Sequence, residues 1–100
     1  MKLLAVLPAV FITASAWQVR FVGKEGQHID THGTQDTSCN MLKWEPRQNA
    51  VLVSFNPATD LYPDPEFVYV YSDGACAQNR LRFSPGDSRL DQVLGSYIVE

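Results

Sequence analysis

Residues 17–22 read WQVRFV. Trp17, Val19 and Phe21 alternate with Gln18 and Arg20. A period of two puts the first three side chains on one face of an extended chain and the other two on the opposite face. Such a strand belongs to a sheet that covers a core on one side and meets water on the other. Working outward, the same texture returns. NAVLVSF (49–55) groups Val51, Val53 and Phe55 on one face. EFVYVYS (66–72) is aromatic and β-branched throughout, which suits a central strand covered on both faces. NRLRFS (79–84) sets Arg80 and Arg82 against Leu81 and Phe83, and SYIVE (96–100) closes the chain. Gly23, Gly26, Gly33, NPATDLYPDP, SDG and SPGD place turns between these runs. Only RLDQVL (89–94) has the pattern of a helical turn.

Short strands separated by regular turns predict an all-β fold, a small two-sheet sandwich of antiparallel strands. The halves of the chain repeat one plan. V-R-F, a glycine turn, a polar strand, a second glycine turn and VLVSF are followed by VYVY, SDGA, NRLRF, SPGD and SYIVE. Two Greek-key-like units packed face to face would produce this repeat, and so would turn spacing alone.

Upstream of Trp17 the chain has the form of a secretory leader. Lys2 is a short basic start, Leu3 to Ile12 carry no charge, and Ala14-Ser15-Ala16 is an A-x-A cleavage signal. The apolar run is shorter than the roughly 20 residues that a helix needs to span hydrocarbon. The expected organisation is a signal peptide over residues 1–16 and a single β domain over 17–100, secreted.

Two cysteines, Cys39 and Cys76, remain in that domain. In an oxidising compartment a lone pair predicts one disulfide. Lys2 leaves with the leader, so seven basic residues face eleven acidic ones and the mature net charge is −4. An acidic surface without a basic run argues against nucleic acid or anionic membrane as a partner. Asn40, Asn49, Asn56 and Asn79 all miss the N-glycosylation sequon. No cofactor is implied, and a monomer is the expected state.

The plan of leader, W-x-V-x-F, G-T-x-x-x-S-C-x-x-L, V-x-V-Y-S-D-G-A-C and a final S-Y-x-V-E resembles the small secreted β-proteins of filamentous fungi. That resemblance covers most of residues 17–100. It implies a β-sandwich acting outside the producing cell, often as a host-directed effector, and transfers no catalytic residue. In that pattern Cys39 and Cys76 are the surviving pair, since VGKEGQ and RLDQVL carry no cysteine where others would stand. The βγ-crystallin fold has a similar double Greek key. The nearest stretch to its calcium motif, GTQDTS (33–38), has Gly33 and Thr34 where acidic or amide ligands belong.

The expected function is therefore a secreted, non-enzymatic interaction protein of the fungal effector or virulence-related kind, with an extracellular or host protein as partner. A secreted toxin or antimicrobial protein is the alternative, and a small hydrolase or hydrolase inhibitor the second. Four sets of residues bear on the site. NPATDLYPDPE (56–66) is longer than a hairpin requires, and Pro57, Pro63 and Pro65 restrain it. Leu61 and Tyr62, flanked by Asp60 and Asp64, are either exposed anchors or a satellite of the core. In HIDTH (28–32), His28, Asp30 and His32 share one strand face. The histidines lie about 13 Å apart at roughly 3.3 Å per residue, too far to share one metal easily. The expected reading is a wet face with Ile29 and Thr31 turned inward, and no metal site. Arg80 and Arg82, with Arg20, form a cationic stripe or pair with nearby carboxylates, and pairing is the expectation. No nucleophile elbow surrounds any Ser, His and Asp set, so no catalytic residue is assigned.

Overall fold

The computed structural model describes residues 16–59 and 63–100. Residues 1–15, which hold most of the predicted leader, and residues 60–62 lie outside them. Eight strands are present: β1 (Trp17–Gly23), β2 (His28–Gly33), β3 (Asn40–Met41), β4 (Ala50–Asn56), β5 (Val68–Tyr71), β6 (Leu81–Phe83), β7 (Gly86–Gln92) and β8 (Ser96–Val99). They form two four-stranded sheets, ordered β2-β1-β4-β7 and β3-β8-β5-β6. Every pairing is antiparallel. The fold is all-β, as the alternation in the sequence predicts.

The sheet orders hold a symmetry. β1, β2 and β4 lie together and β7 completes their sheet, while β5, β6 and β8 lie together and β3 completes theirs. Each half of the chain thus keeps its first, second and fourth strands in one sheet and lends its third strand to the other. This is a double Greek key with exchanged strands, so the repeated plan of the sequence corresponds to a repeated connectivity.

β1 follows its pattern. Trp17, Val19 and Phe21 are buried, and Gln18 and Arg20 are exposed. A tight turn then leads to β2, with Gly23 N donating to Gln27 O at 2.7 Å and Gly26 N to Gly23 O at 3.0 Å. Gly26 sits at φ 99°, a conformation that a residue with a Cβ rarely adopts. β2 alternates as expected, with Ile29 and Thr31 half-buried and His28, Asp30 and His32 exposed.

Two local expectations are corrected. In β4, Val53 and Phe55 are buried but Val51 is only half-buried, and Ala50 takes the inward position instead. Val22 pairs with Leu52 and Gly23 with Ala50, so Val51 is an extra residue. This bulge reverses the alternation, a shift that sequence parity alone does not reveal. RLDQVL is not helical. Arg89 to Gln92 continue β7, with Leu90 turned toward the core. Six residues make little more than one helical turn, which is costly to nucleate, while the open edge of β4 offers a full ladder of hydrogen bonds.

The core lies between the sheets. Trp17, Phe21, Val53, Val68, Val70 and Val99 are all at most 1% exposed. Phe21 of one sheet meets Tyr97 of the other with ring centroids 5.2 Å apart. Both indoles find acceptors, Trp17 Nε1 on Gln35 O at 3.0 Å and Trp44 Nε1 on Leu94 O at 2.9 Å, which satisfies the polar atom of each ring.

β3 is the shortest strand, and the predicted disulfide fastens it. Cys39, immediately before β3, bonds Cys76 in the β5–β6 connection, with Cα atoms 5.9 Å apart. Around this bond the chain is closely fitted. The buried Ser96 Oγ donates to Asp73 O at 2.6 Å and accepts from Cys76 N at 3.0 Å. A Cβ on Gly95 would stand 2.6 Å from the carbonyl carbon of Asp73, so only glycine lets the two segments pass.

Reducing the disulfide should cost about 4 kcal/mol, the chain-entropy value for the 37-residue separation. Chemical denaturation of the native protein against its reduced, alkylated form measures this. Coincident midpoints would contradict it.

Candidate interaction surface

The 56–66 loop is the first sequence candidate. Asp60, Leu61 and Tyr62 lie outside the described residues. Asp64 is exposed, and its Oδ1 accepts from Thr59 N at 2.8 Å and Thr59 Oγ1 at 3.0 Å. Asn56 Oδ1 accepts from Ala58 N at 3.2 Å, and Pro65 is buried. One carboxylate oxygen of Asp64 thus accepts both bonds from Thr59.

The β2 face is the second. Arg20 and Asp30 are direct cross-strand partners. Arg20 Nε reaches Asp30 Oδ1 at 2.7 Å and Nη2 reaches Oδ2 at 3.2 Å, a bidentate pair. The hydrogen bond from Arg20, before any other cause, holds the Asp30 carboxyl below its usual range, and the same bond raises Arg20. Asp30 is therefore committed to a guanidinium. Gln18 pairs with His32 on one side and Asn56 on the other, and Arg20 pairs likewise with Asp30 and Ser54. These rows make the outer surface of the β2-β1-β4-β7 sheet polar, and among the described residues no cluster of three His, Cys, Asp or Glu groups could hold a metal ion.

The arginines differ from expectation. Arg80 and Arg82 are exposed, and among the described residues the ion pairs are Arg20–Asp30 and Lys24–Asp91. Neither Arg80 nor Arg82 meets a carboxylate among the described residues. Arg80 instead lies over the ring of Tyr69 at 5.1 Å, and Arg82 over that of Phe67 at 4.4 Å. The two rings stand 6.1 Å apart. Sheet register brings this about. Arg82 is the cross-strand partner of Tyr69, and the half-buried residues Phe67, just before β5, and Tyr69 within it are aromatic, so each long arginine lies down along a neighbouring ring. Arg20 does not join them, because β1 and β6 belong to different sheets of the sandwich.

The connection from β5 to β6 aims this pair. Asp73 is its hub: Oδ1 accepts from Ala77 N at 3.0 Å and Gln78 N at 2.9 Å, and Oδ2 from Ala75 N at 3.1 Å. These bonds, that from Gln78 first, hold the Asp73 carboxyl below its ordinary value. Ser72 N donates to Gln78 O at 3.0 Å, and Asn79 Nδ2 to Ser72 Oγ at 2.8 Å. The loop is closed on itself just before Arg80. Its role was accessible in part from the sequence, since SDG is an Asx-turn signal.

Comparison with known protein families, with curated proteins and with solved structures finds no match for this chain. The surface is therefore interpreted from its own chemistry.

Because its folded pKa lies below the unfolded value of about 3.9, Asp73 stabilises the protein above that pH and ceases to do so as pH falls through the folded pKa. Asp73→Asn should lower the melting temperature at neutral pH and make the acid limb of the stability curve shallower. Melts from neutrality into strong acid test this, and a variant curve running parallel to wild type would contradict it.

Proposed function

We propose that this chain is a secreted, non-enzymatic interaction protein, of the effector or virulence-related kind, that binds a protein of a host outside the producing cell. The observation that carries the reading is the pair of exposed arginines laid on aromatic rings without carboxylate partners among the described residues. Arginine and tyrosine are the residue types that most often dominate binding energy at interfaces. An exposed guanidinium that no described carboxylate pairs, on an acidic molecule, has binding capacity that the described fold does not use.

Three further points support it. Trp17, the first residue after the A-x-A signal, is also the first residue of β1 and is 1% exposed, so cleavage after Ala16 would leave the domain whole. The Cys39–Cys76 bond suits an oxidising compartment. Among the described residues the carboxylates whose ionisation the fold shifts, Asp30, Asp73 and Asp91, are all lowered, Asp91 chiefly by Asn49 and then Lys24. Each is held charged by a structural partner, whereas a general acid needs a raised pKa to keep its proton near neutral pH.

The secreted protein should begin at Trp17, as N-terminal sequencing reads, and should bind extracellular host extract saturably, with labelled protein displaced by excess unlabelled protein. Linear, non-displaceable uptake would contradict the interaction reading. Met1 retained in the medium would contradict the processing.

A further inference from the structure

The chemistry of the aromatic-backed arginines specifies more than an interface. A guanidinium stacked on a ring uses its face, while its five N–H donors lie in its plane and point outward. The ring also restrains a side chain that would otherwise lose substantial rotamer freedom on binding, so the fork is oriented before a ligand arrives. A planar carboxylate fits such a fork through two parallel hydrogen bonds. Arg82 lies in β6 and Arg80 directly before it, two residues apart and so about 7 Å apart at roughly 3.3 Å per residue of extended chain. The rings beneath them repeat that interval, at 6.1 Å.

We infer that the outer face of β5 and β6 binds an acidic, extended polypeptide segment of the partner, whose carboxylates at alternate positions meet Arg80 and Arg82 while its backbone lies beside Phe67 and Tyr69. The complementarity is of charge and spacing together. The molecule carries a net charge of −3, yet this face presents two cations that no described carboxylate neutralises. An extended chain repeats its side chains on one face at the same two-residue interval as β6. Tyr69 pairs with Arg82 on one side and Ile98 on the other, so the face continues as half-buried apolar surface against which such a segment can lie. The position of β6 at the end of its sheet leaves the arginines approachable from the side.

This inference rests on the interaction reading above, and the test separates them. Residues 17–100, oxidised, are titrated with a synthetic peptide alternating glutamate and threonine, with its glutamine counterpart, with a sulfated polysaccharide and with inorganic phosphate. The side-chain Nε–H resonances of arginine report binding. The glutamate peptide should bind and shift Arg80 and Arg82, and the glutamine peptide should not. Arg80→Ala with Arg82→Ala should weaken peptide binding at least tenfold. Arg80→Lys with Arg82→Lys should also weaken it severalfold, since charge is kept but the fork is lost. Arg89→Ala should leave it unchanged. The Lys pair also guards against a misfolded Ala variant. Absence of peptide binding, equal binding by the Ala variant, or tighter binding of the polysaccharide or phosphate would overturn the inference. If the Ala variant still binds host extract saturably, this face is wrong and the interaction reading stands. If wild type binds neither extract nor peptide, both fail.

Discussion

The exchange of β3 into the second sheet is the constraint on which the rest of the molecule depends, and that exchange has little backbone bonding behind it. β3 pairs with β8 through Asn40–Tyr97 and Met41–Ser96 alone. Its counterpart β7 runs from Gly86 to Gln92 along β4. What β3 lacks in ladder is supplied on either side. Thr37 N donates to Val99 O at 2.9 Å while Thr37 Oγ1 accepts from Val99 N at 3.0 Å, Leu42 N donates to Gly95 O at 2.9 Å, and Cys39 is bonded to Cys76. The disulfide therefore holds the weaker of the two exchanged strands.

The same bond reaches the surface. Cys76 lies in the closed loop that Asp73 organises, and Arg80 follows that loop directly. Ser96 ties Cys76 and Asp73 to β8, the central strand that also carries Tyr97 into the core against Phe21. A continuous set of contacts thus runs from the buried aromatic pair, through Ser96 and the disulfide, to the arginines on Tyr69 and Phe67. The opposite sheet pairs Arg20 with Asp30 and Lys24 with Asp91, whereas Arg80 and Arg82 lie on aromatic rings and meet no described carboxylate.

Much of this was legible in the residues. WQVRFV alone specifies a half-buried strand, the glycine and Asx turns mark the connections, and two cysteines behind a predicted leader imply one bond. HIDTH reads correctly as a wet face because strand parity is a local property. What escaped were properties of pairing between segments. Val51 looks inward by parity, but a bulge against β1 reverses the pattern. Arg89 to Gln92 of RLDQVL became strand because β4 had an edge to fill. Arg80 and Arg82 seemed destined for carboxylates, because their aromatic neighbours are fixed only by a register set across the loop at 72–79. No periodicity discloses which sheet a strand joins, so the exchange itself had no signal beyond the repeated plan.

Hydrogen exchange on the oxidised protein and on the reduced, alkylated protein under conditions where both remain folded tests the dependence most directly. The account predicts that reduction speeds exchange selectively at Leu42, Cys76, Ala77 and Gln78, whose amides donate around β3 and the Asp73 loop, while Val19 and Phe21 of β1 and Val53 of β4 keep their protection. Unchanged protection at Leu42 and Gln78, or an equal loss across both sheets, would contradict it.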